Sequence, residues 1–579
     1  MRLKLKKILY KTHNWFMILL FLLGISQIII AETTRPGPAM RDPLRDIENT
    51  QRLLEMRRQQ EYINQQLMYP NKNETEKEES KLGFEEGKKY LFTDITVIGS
   101  KLFKNEMDKI IAEYINTEMN EQDIYELLVK LSNVFLTKGY VTTLVTLKYG
   151  NINEGQLIYE VKEGKVRNIK MTGKEETTLD KIKLKLAFPM KKGDLLTTQD
   201  MDQGLENINV GGYNNMTEIA PTEEYGYSDI LIEENYTSTG FSVGMDDSGY
   251  KDKGRNKINI NFSQDNLFGI NDRLTLNYIE RLTDDRKLDK EANYDIGYSV
   301  PIGYWRISYN YNMGDNYNTT ISDLGSYKNK SRSKKHKLKV SKIISRGQYH
   351  KTTVHGGITY RDNYNTMNGI VIDVSTKKYA NTVIGIDHSN RLFGGTVFGI
   401  IEYERGVPWF GAEGDPKVLK EGDYKVEYDK LNFNLDWQRM FSIKDHLFQY
   451  RMGIGGSYSD DRLLSANQFT MGDEYTVRGF KESSVVGNKG VYINNTITYL
   501  GTQNANSFLS AIKPFIGLDG GISRDKDLPN SDKIAGFAIG FRIARGAFNL
   551  GFTYGIPLVW AKDMPREQNP IYFNISYNF

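Results

Sequence analysis

The last nine residues, Ile571-Tyr572-Phe573-Asn574-Ile575-Ser576-Tyr577-Asn578-Phe579, alternate without a break. In an extended chain Ile571, Phe573, Ile575, Tyr577 and Phe579 share one face, and Tyr572, Asn574, Ser576 and Asn578 share the other. One face suits hydrocarbon and the other water, over the length that a tilted strand needs to cross a bilayer. The same period runs upstream to about residue 238, less cleanly, in NKININ, RLTLNYIE, YDIGYSV, WRISYNYN and KHKLKVSKI. Turns such as DNLFGIND and PIG separate these stretches. Sixteen such segments start near 239, 257, 272, 291, 304, 334, 351, 376, 394, 427, 446, 489, 513, 534, 546 and 571. An even number lets an antiparallel barrel close with both ends on one side. Closure pairs every backbone group that would otherwise face lipid. The expectation is a mainly β chain ending in a 16-stranded antiparallel transmembrane β-barrel over 238–579. A soluble sandwich or propeller is the alternative.

This pattern makes sense of the composition. The 579 residues are only 39% hydrophobic, and mean hydropathy is -0.53, too polar for a bundle of membrane helices. Alternation hides lipid-facing residues from such averages. Tyr (37) and Gly (52) are abundant while Pro (14) is scarce, as strands and turns demand. Lys+Arg (76) nearly balance Asp+Glu (73), so nucleic acid is not an expected partner. The absence of Cys excludes disulfides, thiolate metal sites and cysteine catalysis.

The N-terminal part is built differently. A basic start, RLKLKK, and the apolar run 15–31 ending at Ala31 predict a signal peptide over 1–31, with an uncleaved anchor as the alternative. Residues 41–68 predict a helix with only a thin apolar stripe, Ile47, Leu53, Leu54, Ile63 and Leu67. A helix polar nearly all round either bridges solvent or sits in a polar cavity. Residues 69–88 read as a charged linker. Residues 89–165 and 166–237 each read β-α-α-β-β, a tandem repeat of α+β modules.

Enzyme signals are weak. No His starts HExxH, and no Gly-Lys is followed by Ser or Thr. Gly240-Phe241-Ser242-Val243-Gly244 matches GxSxG but falls in the first barrel strand, without the helix a nucleophile elbow needs. His350 and His355, five apart, point to opposite faces and read as surface residues, not metal ligands. No metal, cofactor or catalytic residue is expected. The basic run 328–339, KNKSRSKKHKLK, reads as a solvated loop grading into a strand, with a lipopolysaccharide or secreted-polypeptide site as the alternative.

One constellation is specific. Val477-Arg478-Gly479-Phe480 lies in the long loop between the eleventh and twelfth segments, and Phe515, Gly517, Asp519 and Gly521 recur at every second position of the thirteenth. Asp519 is predicted to face the lumen, because Leu518 and Gly520 alternate with it. Arg478 offers a donor fork that matches a carboxylate. Gly479 permits a tight backbone at the loop tip, and Phe480 can anchor in the wall. In this order, with GYVTTLVTL (139–147), IYEVKEGKV (158–166), MDQGLENIN (201–209) and the first hairpin motifs, the chain resembles the two-partner secretion transporters. These belong to the wider superfamily of the barrel-assembly machinery.

The resemblance implies that 89–165 and 166–237 are POTRA domains in the periplasm and that 41–68 is a plug helix. It implies a pore in the outer membrane of a diderm bacterium that exports a large partner polypeptide, haemolysin- or adhesin-like, captured by exposed POTRA sheet edges near 140–148 and 213–219. The conduit loop would be Val477–Phe480, with Asp519, Gly517, Gly521 and Phe515 as its wall partners. Phe579, Tyr577, Ile575 and Phe573 would form the membrane-targeting strand. Further implied partners are outer-membrane lipids and, during biogenesis, the barrel-assembly machinery. The alternatives are a factor that inserts other barrels, a passive porin, which leaves the two modules without a task, and a surface hydrolase, which lacks a catalytic set.

Overall fold

The computed structural model describes residues 43–68 and 89–579, apart from 152, 174, 210–214, 235–238, 252–253, 284–285, 287–288, 323–324, 374, 421, 503–507 and 526–530. The expected signal peptide and linker lie outside the described residues.

Sixteen antiparallel strands, from Thr239–Asp246 to Ile571–Asn578, close into one barrel. A short two-residue strand, Ile370–Val371, hangs on its rim. The closing seam is brief: Ser242–Asp246 pairs with Asn574–Asn578. The backbone N–H of Phe579 extends it by donating to Phe241 O at 2.8 Å. The Phe579 ring then meets Phe241 at 5.4 Å and Tyr577 at 4.9 Å.

The basic run 328–339 departs from expectation. It lies wholly inside a 22-residue strand, Gly325–Arg346, paired residue for residue with Trp305–Ser322. Ser331, Ser333 and Lys335 are buried on the lumen side, while Leu338 is exposed on the other. Polar residues are tolerated on both faces because one faces a wet lumen and the other rises past the lipid. His355 also departs: it is buried, and its Nε2 lies 2.8 Å from Glu402 Oε1. A strand facing a closed lumen buries what an open surface would expose.

Helix α1 (Pro43–Met68) lies inside the barrel. Glu55 pairs with Lys335 (2.8 Å) and Lys337 (3.6 Å), Arg52 with Asp473 (2.7 Å), and Arg57 with Asp246 (3.4 Å). Arg58 pairs with Asp295. Thr50 donates to Glu291 and accepts from Lys257 Nζ at 2.8 Å. Its few apolar residues find matching spots. Ile63 and Leu67 pack on Phe398 and Ile400, and Ile47 occupies the space that a side chain at Gly314 would fill. The polar circumference of this helix is explained by its polar socket.

Two α+β modules precede the barrel. The first adds a pair of short strands, Tyr90–Phe92 with Thr117–Met119, to the expected order. Three residues each were too few to show a period in the sequence. Its main sheet runs Asp94–Ile98, Gln156–Lys162, Leu144–Asn151, covered by α2 (Lys104–Ala112) and α3 (Glu121–Leu136). In the second module the sheet runs Lys165–Met171, Tyr227–Glu233, Met216–Pro221, with α4 (Thr178–Ala187) and α5 (Thr198–Ile208). Leu144–Asn151 and Met216–Pro221 are therefore sheet edges.

The second module is fastened to the turns at one end of the barrel. Asn207 Nδ2 donates to Gly303 O (2.7 Å), Gly303 N to Leu186 O (2.7 Å), and Asn271 Nδ2 to Lys183 O (2.8 Å). Glu206 joins Arg346 (2.7 Å) and Lys351 (3.2 Å) on either side of one turn. Burial alone would raise the Glu206 carboxyl pKa, but Lys351 and Arg346 outweigh it and hold it at about 2, below its ordinary 4.5. A depressed carboxylate stabilises the folded state above its unfolded pKa, and that contribution fades as the pH falls from about 4.5 towards 2. We expect acid to loosen this junction over that window, seen as faster hydrogen exchange in α5. Glu206→Gln should loosen it already at neutral pH and flatten the acid response.

Candidate functional site: the lumenal loop and its socket

The loop 459–488 turns back into the barrel and buries its tip. Val477 and Phe480 are fully enclosed and Arg478 is 7% exposed. The apolar residues form a small core with Phe469, Met471, Val485, Ile534 and Ala561. Phe480 meets Trp560 edge-on at 5.1 Å.

Arg478 is held at four points. Its Nε donates to Asp519 Oδ2 (2.6 Å), Nη2 to Asp519 Oδ1 (2.6 Å) and to Asn495 O (3.0 Å), and its backbone N–H to Asp519 Oδ2 (3.0 Å). Such a two-pronged, charge-assisted pair fixes direction as well as distance. Breaking a buried pair by removing one partner costs about 3–5 kcal/mol, because the other charge stays buried.

The spacing of Phe515, Gly517, Asp519 and Gly521 now has a physical reason. A side chain at Gly517 would sit 2.3 Å from Arg478 Nη2, and one at Gly521 would sit 2.4 Å from Met471 Sδ. Asp519 between them supplies the charge, and the Phe515 ring lies under the Arg542 guanidinium at 5.0 Å. Gly479 adopts φ 119°, outside the range of ordinary L residues.

Sequence reasoning missed the rest of the socket. A Cβ at Gly536 would lie 1.7 Å from Arg478 O, and one at Gly555 would lie 2.9 Å from Gly479 Cα. Gly517, Gly536 and Gly555 stand on three adjacent strands and form a lane for the loop backbone. Tyr572, assigned only to the water face of the last strand, is a bolt. Its hydroxyl accepts from Gly479 N (3.2 Å) and donates to Phe480 O (2.7 Å). Glu567 accepts backbone N–H groups from Lys481 (3.0 Å), Glu482 (2.8 Å) and Ser483 (3.3 Å). Small residues on the lumen face of three consecutive strands were a usable signal for the lane. Nothing in the sequence linked Tyr572 or Glu567 to the loop.

Asp473 ties this loop to α1. It accepts from the backbone of Tyr475 and Thr476 (both 2.9 Å) and from Arg52 of α1 (2.7 Å). Beside the helix, on the seam side, remains a cavity of about 1300 Å³ lined by Ser242, Asn261, Thr275, Ser308, Asn574 and their neighbours. The GxSxG string lies in the barrel strand Thr239–Asp246, with no helix after it. Among the described residues, no group of three His, Asp or Glu side chains could hold a metal ion.

Comparisons with known proteins agree with this architecture. The family model described as haemolysin secretion/activation protein ShlB/FhaC/HecB matches residues 226–543. A ShlB-type POTRA model matches 91–164, and a second POTRA model matches 165–221. The chain is 27% identical to the outer membrane transporter CdiB of Dickeya dadantii over 494 residues, 84% of this chain and 85% of that one. It is 27% identical to the hemolysin transporter protein HpmB of Proteus mirabilis, over 69% of each chain. The solved structure of CdiB from Escherichia coli superposes with a TM-score of 0.81 at 25% identity, covering 94% of this chain and all of that one.

Arg478→Ala should lower export of the partner polypeptide at least tenfold while barrel abundance falls much less, measured by paired immunoblots of culture fluid and outer membrane. Gly536→Val, which blocks the lane and leaves both charges in place, should reproduce the defect. Full export by both variants would show that the docked loop is dispensable.

Proposed function

Since the chain belongs to the ShlB/FhaC/HecB family of haemolysin secretion/activation proteins, outer-membrane transporters of two-partner secretion with POTRA domains in the periplasm, we propose that it exports one large exoprotein, of the haemolysin or adhesin kind, through the barrel that α1 plugs at rest. The observation that carries this reading is the lodged helix. Its contacts with the lumen are mostly ion pairs and hydrogen bonds, which water can replace when the helix leaves. A core of interlocked apolar side chains would not release so readily.

Capture begins at the POTRA edges. The strand Leu144–Asn151 carries exposed Leu144, Leu147 and Tyr149 beside unpaired main-chain groups. Met216–Pro221 presents a second edge, with Met216 exposed. An unfolded segment can add there as a further strand, with main-chain bonds tolerant of its sequence. The conduit loop Val477–Phe480, held by Asp519, keeps the lumen's shape while the substrate passes. Folding of the emerging chain outside makes passage irreversible. No catalytic step is assigned to this chain. Lipids surround the barrel, and the barrel-assembly machinery inserts it.

Three outcomes test the proposal. Deleting the gene should remove one large protein from the surface or culture fluid and leave other barrels intact; a general loss of barrels would instead mark an assembly factor. Leu144→Lys with Leu147→Lys should cut export about tenfold at unchanged barrel level. Arg52→Ala with Arg58→Ala should loosen the plug and raise ion conductance in planar bilayers; unaltered conductance would count against α1 as the resting seal.

A further inference from the structure

The outward face of the strand Gly325–Arg346 carries a second feature, which the transport reading leaves unused. Even-numbered residues point away from the lumen here, since Ser331, Ser333 and Lys335 are buried inside and Leu338 is exposed. Near the periplasmic end Lys342 lies 4.8 Å over the ring of Trp305. Between Lys342 and Lys334 the outward positions are His336, Leu338 and Val340. Eight residues at the strand rise span about 27 Å along the chain. At a tilt of about 40° that is roughly 20 Å of height, close to the apolar band of such barrels. The two lysines thus bracket the hydrocarbon, with their amines reaching outward to the headgroups.

The upper boundary is marked independently. His336 packs against Tyr311 (4.8 Å) and Tyr360 (6.2 Å) and meets the Tyr309 hydroxyl at 2.8 Å. This ring cluster is a segment of the aromatic girdle that barrels place at the interface. Immediately above it, on the same face, come Lys334, Arg332, Lys330 and Lys328, at steps of about 6.7 Å. Lys290 joins them across the sheet, in register with Tyr317, the partner of Lys330. Three carboxylates share the face: Asp315, paired with Arg332 at 3.3 Å; Asp362, opposite Lys334 and Lys378 in register; and Glu280, paired with Arg286 at 2.9 Å. Cations therefore outnumber acids at headgroup height, outside the barrel wall.

We propose that this ladder binds the phosphate groups of a phosphorylated glycolipid in the outer leaflet. The occupant needs negative charge at the membrane surface and acyl chains alongside Leu338 and Val340; a phosphorylated lipid has both. Tyr317 and Tyr364 flank the cations on the neighbouring strands. A secreted acidic polypeptide is disfavoured because it emerges from the lumen, and these side chains point the other way.

The test uses the full-length protein in nanodiscs of neutral lipid, with bisphosphorylated lipid A as probe and a neutral glycolipid as control. Lipid A should bind at least tenfold more tightly than the neutral glycolipid, and added salt should weaken it. The variant K328Q/K330Q/R332Q/K334Q should lose at least tenfold in affinity, whereas Lys444→Gln at a periplasmic turn should lose none. Asp362→Asn, which removes a competing carboxylate, should gain severalfold and guards against a loss caused by misfolding. Equal binding by the quadruple variant or of the neutral glycolipid would overturn the proposal. So would displacement of lipid A by inorganic pyrophosphate at equal phosphate concentration, the mark of a free-anion site. Photo-crosslinking from position 330 to the secreted partner in place of lipid would reassign the patch to the polypeptide.

Discussion

Hydrocarbon offers no partner to a backbone N–H or C=O, so every spanning segment of this chain has to pair within the protein. The closed sheet is the consequence, and most other features answer a need that closure creates. A sheet curled through sixteen strands encloses a wide lumen. That lumen cannot be filled by its own inward side chains, and a wet hole through a membrane has to be sealed. Helix α1 and the inward loop both lie within that lumen. The helix meets the wall mostly through polar groups, because the wall's inner face alternates with the lipid face and is polar by the same period of two, while the loop tip adds a small apolar core that includes Ile534 of the wall.

The loop and the helix are held by different physics. The loop tip is dry: Arg478 and Asp519 share three hydrogen bonds in a socket lined by glycines, with Phe480 packed on Trp560. Removing either charge strands the other. The helix is held by scattered ion pairs in which Arg52, Arg57 and Arg58 stay partly exposed while the carboxylates they meet are largely buried. The loop tip and the helix are thus held by contacts of different kinds. Asp473, shared between the loop backbone and Arg52, joins the two.

The periplasmic side repeats the contrast. The second POTRA domain grips the turns at Gly303 and Asn271 through buried amides and through Glu206 between Arg346 and Lys351. The strand edges Leu144–Asn151 and Met216–Pro221 are left open. The joint thus leaves the main-chain groups of these two edges unused.

The sequence alone determined the elements whose signal is periodic or local. Ile571–Phe579 showed its two faces, sixteen segments could be counted, and Val477–Phe480 with the every-second-residue set around Asp519 marked a loop and a wall that belong together. These are legible because a strand's period of two and a turn's residue preferences act over a few positions. Tertiary structure alone decided what depends on chain segments far apart. It placed α1 within the lumen, made Tyr572 and Glu567 loop anchors, turned Gly536 and Gly555 into clearance for a backbone, and extended the strand Gly325–Arg346 through a run of lysines that reads as a loop. In each case the deciding partner lies on another strand or loop of the barrel, and alternation along one strand carries no record of what the opposite wall presents.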